Sequence, residues 1–378
     1  MRVIHVFKTY LPESFFGIER VIWNIAQGSN DLGAQHSVLT LSPNPRPVPL
    51  QVGNHLVYQA RRNLYVASTG LSLTAIRMYR RLIAANDVVH YHFPWPMMDL
   101  LHLGFGIGRP SVVTYHSDIV RQRRLLCLYR PLMHRFLACA DHIVATSPQY
   151  LETSETLRRY RDKASVVPIG LEHERPAVRP EVRRRWHERL GRDFFLFVGA
   201  PRYYKGLPYL TEAAQLAKVR LVLAGVSREP AQRELGNGIT VLGNINEEDK
   251  EALLDLCRAV VLPSHLRSEA YGLVLVEAAR AGRPMICCDL GTGTTHVNSA
   301  GVTGLVVPPA DAPALAAALR TLDTDPELAA AYGRAARRRF DQLFNARDMA
   351  RSYLNIYETV AARSVQRSRM YVSPGGVI

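Results

Sequence analysis

Apolar runs of strand length alternate with helix-period segments along this chain, and the alternation comes as two series. RVIHVF, HSVLTL, DVVHYHF, PSVVTYH, HIVATS and SVVPIG form the first; FFLFVG, VRLVLAG, ITVLG, AVVLPS and PMICCD form the second. Strands that are apolar almost throughout and are separated by helices require a parallel sheet covered on both faces. The fold class is therefore α/β, with two doubly wound parallel-sheet domains, and 378 residues are enough for two separate cores. LEHERPAVRPEVRRRWHERLGRD, rich in proline and charge, lies between the series. This gives an N-terminal domain over 1–170, a C-terminal domain over 171–345, a helix over 346–366 crossing back to the first domain, and a tail, RSRMYVSPGGVI, over 367–378 that reads as disordered.

Charge and composition narrow the function classes. No run of eighteen apolar residues is present, which excludes a membrane-spanning helix in the sequence. MRVIHVF reads as a first strand rather than a signal peptide, so a cytoplasmic location is expected. The five cysteines lack C-x-x-C spacing, and Cys287 and Cys288 sit in the apolar run MICCDL, which argues against zinc or redox chemistry. Residues 1–170 carry 19 Lys and Arg against 10 Asp and Glu, so this half faces something anionic. RQRRLLCLYRPLMHRFLACADHI, residues 121–143, places Leu125, Leu128, Leu132 and Phe136 at helical spacing among Arg121, Arg123, Arg124, Arg130 and Arg135. Two readings stay open for this basic amphipathic helix: contact with an anionic membrane surface, where each Arg contributes about 1 kcal/mol, or core packing with a solvated basic face. Neither an aromatic-interleaved RNA motif nor a basic recognition helix is present, and no nucleic-acid partner is expected.

Ligands of doubly wound sheets sit beyond the carboxyl ends of the strands. In the second half, FFLFVGAPRYYKG puts Arg202 and Lys205 just past a strand, where two permanent cations suit a diphosphate. AVVLPS is followed by SEAYGLVLVEAARAG, in which Gly272 opens a helix over about residues 272–281. Free N–H groups and the helix dipole make such an N-terminus an anion site. Glu277 lies roughly 7 to 8 Å further along the axis, at about 1.5 Å per residue. A carboxylate there is placed to accept both hydroxyls of a ribose, while Glu269 on the loop reaches the group attached to the phosphates. Taken alone, two glutamates at this spacing are more often solvated helix-face residues; the glycine, the cations and the strand ends favour the ligand reading.

These motifs resemble those of family 4 retaining glycosyltransferases. Glu269 and Glu277 within SEAYGLVLVEA match the family's paired glutamates, Arg202 and Lys205 match its diphosphate-holding Arg and Lys, and VTYHSD supplies His116 where the family has an active-site histidine. FFGIERVI offers Gly17 for the glycine-containing first loop, with one glycine where many members have two. VVPIGLE resembles the inter-domain hinge. HYHFPWPMMDLLHL, TYHSDIV and GTGTTHVNSAGVTGLVVPP are similar to bacterial mannosyl- and rhamnosyltransferases of O-antigen and surface-polysaccharide assembly. The resemblance implies two Rossmann-like domains facing a cleft, the B-type architecture. It further implies metal-independent transfer of a hexose, mannose or rhamnose-like, from a GDP-linked donor to a saccharide on polyprenyl diphosphate at the inner-membrane surface. Glu269 and His116 would position the donor sugar, Arg202 and Lys205 would stabilise the leaving diphosphate, and Glu277, Gly272, Leu273, Tyr271, Gly17, Leu242 and Gly243 would complete the donor site. His92 and Asp118 would lie on the acceptor side. No cofactor is implied.

Competing readings accompany several of these residues. Asp323 to Asp325 spell the D-x-D of metal-dependent transferases but precede Pro326, where a helix-capping turn is expected. His90 and His92 have a possible metal spacing on a strand end, against substrate contact or packing. Gly104 to Gly108 read as a turn, His116 has a packed-core alternative, and Thr292 to Thr295 serve either the donor or a plain loop. Two other function classes remain: a nucleotide-sugar 2-epimerase of the same architecture, and a non-catalytic basic protein binding nucleic acid or membrane.

Overall fold

The computed structural model describes residues 1–66, 69–120, 123–226 and 238–372. The chain forms two compact units: one holds Met1–Thr146, Ser154–Gly170 and the chain from Ala346 on, the other Ser147–Thr153 and Leu171–Asn345. The short segment Ser147–Thr153, inside the expected first domain, thus packs with the second unit. The last helix runs Ala346–Val372, beyond the expected end at 366; Arg121 and the tail from 373 lie outside the described residues. None of the described helices is long and apolar enough to cross a membrane.

The first unit contains β1 (Arg2–Val6), β2 (Gln35–Ser42), β3 (Leu50–Val52), β4 (His55–Arg61), β5 (Leu64–Val66), β6 (Thr69–Leu71), β7 (Val88–Phe93), β8 (Ser111–Tyr115), β9 (His142–Ala145) and β10 (Ala164–Val166). Its main sheet has the order β10-β9-β8-β7-β1-β2-β4-β3, with β5 and β6 forming a separate hairpin. All pairings in the main sheet are parallel except β3 with β4. β7 and β8 are buried at every position, as expected of strands with helices on both faces. β4, HLVYQAR, carries His55, Gln59 and Arg61 and does not stand out as an apolar run. Gly104 lies not in a simple turn but in one turn of π-helix, His102–Gly106.

The last helix completes this unit. Gly28 lets the helix Gly17–Asn30 lie close against it, since a Cβ there would come 2.8 Å from that of Ala350. Tyr353 bonds Thr114 at 2.8 Å and Tyr357 bonds Nδ1 of His90 at 2.7 Å, so the helix satisfies polar groups of the buried sheet.

The second unit contains β11 (Phe195–Val198), β12 (Leu221–Ala224), β13 (Ile239–Gly243), β14 (Ala259–Leu262), β15 (Met285–Cys288) and β16 (Gly304–Val307). The order β13-β12-β11-β14-β15-β16 is that of dinucleotide-binding sheets, and every pairing is parallel. Its direction reverses between β11 and β14. In such a sheet the loops leaving those two strands part in opposite directions and open a ligand crevice. Arg202 and Lys205 follow β11; Glu269 and Gly272 follow β14.

Replacing Tyr357 with Phe strands the buried His90 Nδ1 without its partner. Urea unfolding is expected to show a loss of about 1–3 kcal/mol, the cost of an unsatisfied buried polar group.

Candidate active site

The two loops at the switch point of the second unit are tied together at several points. Gly206 has φ +68°, and a Cβ there would sit 2.0 Å from the carbonyl oxygen of Pro263, so only glycine lets the turn after β11 rest on the exit of β14. Next to it the His265 N–H donates to the Tyr204 carbonyl at 2.9 Å, and the Tyr203 hydroxyl meets Ser268 Oγ at 3.0 Å. With the loops so placed, Lys205 Nζ reaches Glu269 Oε2 at 2.5 Å, and the Ser264 hydroxyl donates to the same oxygen at 2.9 Å. The ammonium and carboxylate side chains are only 14% and 10% exposed. Arg202 is exposed. Thr292 Oγ1 donates to the Glu269 carbonyl at 2.9 Å, which gives that threonine a role in shaping the loop.

The helix Leu273–Arg280 begins in the same place. Gly272, its N-cap, has φ +78° and no side-chain cap, and its missing Cβ leaves room for Leu262 Cδ2 at 2.6 Å. Its first N–H groups are thus presented at the switch point with their dipole. The far end is clamped: Arg280 is 1% exposed and donates to Glu251 Oε1 at 2.6 Å, while Arg175 Nε holds Glu251 Oε2 at 2.7 Å. Lys250, one residue from Glu251 on the helix Glu247–Leu256, donates to Glu277 Oε1 at 2.7 Å. Glu277 is therefore one partner of a buried ion pair, and the helix Glu247–Leu256 holds both its carboxylate and the far end of Leu273–Arg280. Tyr271 is buried and Leu273 half-buried beside it; Leu242 and Gly243 end β13, with the Gly243 carbonyl accepting from the Gly225 N–H at 2.7 Å.

In the first unit, His116 follows β8, is 6% exposed, and is anchored by its N–H on the Phe93 carbonyl at 3.1 Å. Its Nε2 contacts His92 Nδ1 at 3.0 Å; His92 Nε2 contacts His5 Nδ1 at 3.0 Å; His5 Nε2 contacts His36 Nδ1 at 2.9 Å. Burial pushes all of these imidazoles down, His36 and His116 to about 3 and His5 and His92 well below the ordinary 6.5, so they are neutral. His92, expected on the acceptor side, is fully buried with both nitrogens occupied, by His116 and His5. Asp118 accepts from the Tyr115 hydroxyl at 2.9 Å and the Ser154 hydroxyl at 2.7 Å, a loop-fixing role. Gly17 opens the helix Gly17–Asn30, with no atom within 4 Å of the place a Cβ would take.

His5, His90 and His92 can each place a nitrogen within 4.8 Å of the others. Every nitrogen of the three already has a protein partner, His90 bonding Thr114 at 2.7 Å and Tyr357 at 2.7 Å, which favours a hydrogen-bond network over a metal centre. The D-x-D triplet is a cap, with Asp325 accepting from the Leu328 N–H at 2.9 Å.

Residues 178–339 match the family model described as glycosyl transferases group 1, and residues 16–175 match Glycosyltransferase Family 4. The D-rhamnosyltransferase WbpZ of Pseudomonas aeruginosa is 49% identical over 355 residues, covering 92% of this chain and 93% of its own. This chain is a family 4 glycosyltransferase. The O-antigen chain mannosyltransferase C of Escherichia coli is also similar to the transferase, at 45% identity over 95% of this chain and 99% of its own. Among solved structures, sucrose-phosphate synthase from Thermosynechococcus elongatus shares the fold at a TM-score of 0.78 and 20% identity, covering 96% of this chain and 99% of that one. The Anabaena protein HepE in complex with UDP-glucose does so at 0.73 and 18%, covering 96% and 100%.

Lys250, Ser264 and Gly206 of the transferase were not singled out by sequence reasoning, and neither were His5 and His36. For Gly206 the signal was present in KG between a strand and a helix; the partners of Glu269 and Glu277 are set by tertiary contact alone.

Gly206→Ala is expected to push the two loops apart and to lower the thermal midpoint measurably, with nucleotide binding weakened, because neither Pro263 nor a positive φ accommodates a methyl group. Stability is also expected to fall as pH drops from 6.5 toward 4. The unfolded chain takes up protons on its histidines in that window, whereas His36 and His116 in the fold do so only near 3 and His55 near 4. Urea unfolding at a series of pH values checks this, and His36→Gln should flatten the slope.

Proposed function

We propose that this transferase moves a mannose or rhamnose-type hexose from a GDP-linked donor to a lipid-linked saccharide in O-antigen synthesis, with retention at the anomeric carbon and without a metal. The observation that carries the reading is the Lys205–Glu269 pair, 2.5 Å apart, beside the N-terminus of Leu273–Arg280 at the switch point of the second sheet. Departure of a nucleoside diphosphate leaves negative charge on the phosphate. Arg202, Lys205 and the helix N-terminus supply positive charge there, and they gain more from the leaving group than from the bound donor. Glu269 already accepts from Lys205 and Ser264, so it acts as a fixed acceptor that orients the sugar rather than as an attacking group. Glu277, held by Lys250, is placed for the ribose hydroxyls. Tyr271, Leu273, Leu242 and Gly243 line the donor, and Gly17 admits the substrate near the helix it opens. The names of the two similar bacterial enzymes support the sugar class and the pathway.

A membrane surface suits the first unit. The basic helix Arg123–Cys139 leaves Leu125 and Leu128 at 52% and 81% exposure, while Phe136 and Leu137 pack inward. Leu100, Phe105 and Ile107 are exposed on the neighbouring segments, with Arg80 over the Phe105 ring at 5.2 Å. Apolar tips flanked by arginines fit the boundary of an anionic bilayer, where a lipid-linked acceptor resides, on the cytoplasmic face of the inner membrane.

Transfer from GDP-linked mannose or rhamnose to a polyprenyl-diphosphate-linked saccharide, measured in EDTA, tests the proposal. Arg202→Ala and Lys205→Ala should each lower kcat by about 10²-fold or more, the loss seen when one transition-state donor is removed. Activity surviving the double change, or release of an epimerised sugar without any acceptor, would overturn it.

A further inference from the structure

The histidines of the first sheet form a line with a determined direction. His36 on β2, His5 on β1, His92 on β7 and His116 at the end of β8 stand on adjacent strands, and each joins the next by one nitrogen-to-nitrogen hydrogen bond of 2.9 to 3.0 Å. At the inner end, His36 Nε2 meets Ser29 Oγ at 2.7 Å, and that hydroxyl donates its single proton to the Ile25 carbonyl at 2.5 Å. A carbonyl oxygen only accepts, so Ser29 has no proton left for His36. His36 must therefore carry its proton on Nε2 and accept on Nδ1. A neutral imidazole has one donor and one acceptor, and the assignment passes along unchanged: His5 donates from Nε2, then His92, then His116. The outermost ring is left with Nε2 protonated and Nδ1 bare. His116 Nδ1 has no hydrogen-bond partner among the described residues, and burial keeps all of these rings neutral.

We propose that Ser29, His36, His5 and His92 are positioning residues that fix the tautomer of His116, so that its Nδ1 faces the saccharide as an obligatory acceptor for a sugar hydroxyl. This rests on the reading of His116 as a substrate-binding residue. The opposite tautomer of His116 would set two bare acceptors of the line against each other and leave buried ring nitrogens unpaired, a costly fault among side chains this deeply buried. The arrangement also gives a role to the polar side chains His5 and His92 in the central strands of a doubly covered sheet and to Ser29 on the helix Gly17–Asn30, all of them fully buried.

Long-range proton–nitrogen-15 correlation spectra of the whole protein read each tautomer directly. The expected result is Nε2–H for His36, His5, His92 and His116; an Nδ1–H form of His116 in the wild type overturns the proposal without any variant. His92→Phe removes the acceptor for His116 and should give a mixed His116 tautomer with transfer slowed about tenfold. His92→Asn, whose amide oxygen stands near the lost Nδ1, should restore both. A His116 that keeps its tautomer in His92→Phe contradicts the relay. His116→Phe is the separate test of the substrate role: unchanged transfer there removes that reading while the tautomer assignment stands.

Discussion

The carbonyl of Pro263 and the absent side chain of Gly206 set the geometry on which the donor half depends. Because the turn after β11 rests on the exit of β14, Lys205 meets Glu269 instead of solvent, and a cation and an acceptor come to share one end of the switch point. Neither charge is well hydrated there, and such a pair persists only with good geometry and further hydrogen bonds. Ser264 on the carboxylate and the Thr292 hydroxyl on the loop carbonyl supply them. On the proposed reading, an incoming diphosphate would exchange an existing partner of Lys205 for a new one. Under the proposed function the cation would be in place before any ligand arrives, which would limit the reorganisation left to catalysis.

The same helix shows how a surface-like sequence becomes scaffold. Leu273–Arg280 carries a glutamate and an arginine within an apolar run, and both are buried. Lys250 and Glu251, neighbours on Glu247–Leu256, neutralise them one each. The first unit solves a related problem without charge: a parallel sheet buried on both faces holds imidazoles in its central strands, and each finds its donor and acceptor in the next ring or in Tyr357, Thr114 or Ser29.

The parallel α/β architecture was legible because fully buried strands leave unbroken apolar runs, as in LVLA and AVVL. β4 carries His55, Gln59 and Arg61 and escaped that pattern, and the last helix runs past the point where polar residues suggested it would end. Glu269, Lys205 and Gly272 could be placed near one another from strand ends alone. Their partners could not, since Lys250 meets Glu277 across 27 positions and Lys205 meets Glu269 across 64. His92, at a strand end, left substrate contact and packing both open; its burial comes from His90 on its own strand and from the rings of His5, His116 and Phe7, brought beside it by neighbouring strands rather than by nearness in sequence.

The claim that Lys205 is held by Glu269 for the diphosphate is tested most directly by titrating GDP into the Glu269→Gln variant in a calorimeter. Removing the carboxylate charge frees Lys205 and relieves repulsion of the phosphates, so the variant should bind GDP more tightly than the wild type while transferring little sugar. GDP binding weaker than wild type would contradict the account, since it would make Glu269 a ligand of the nucleotide rather than the resting partner of its cation.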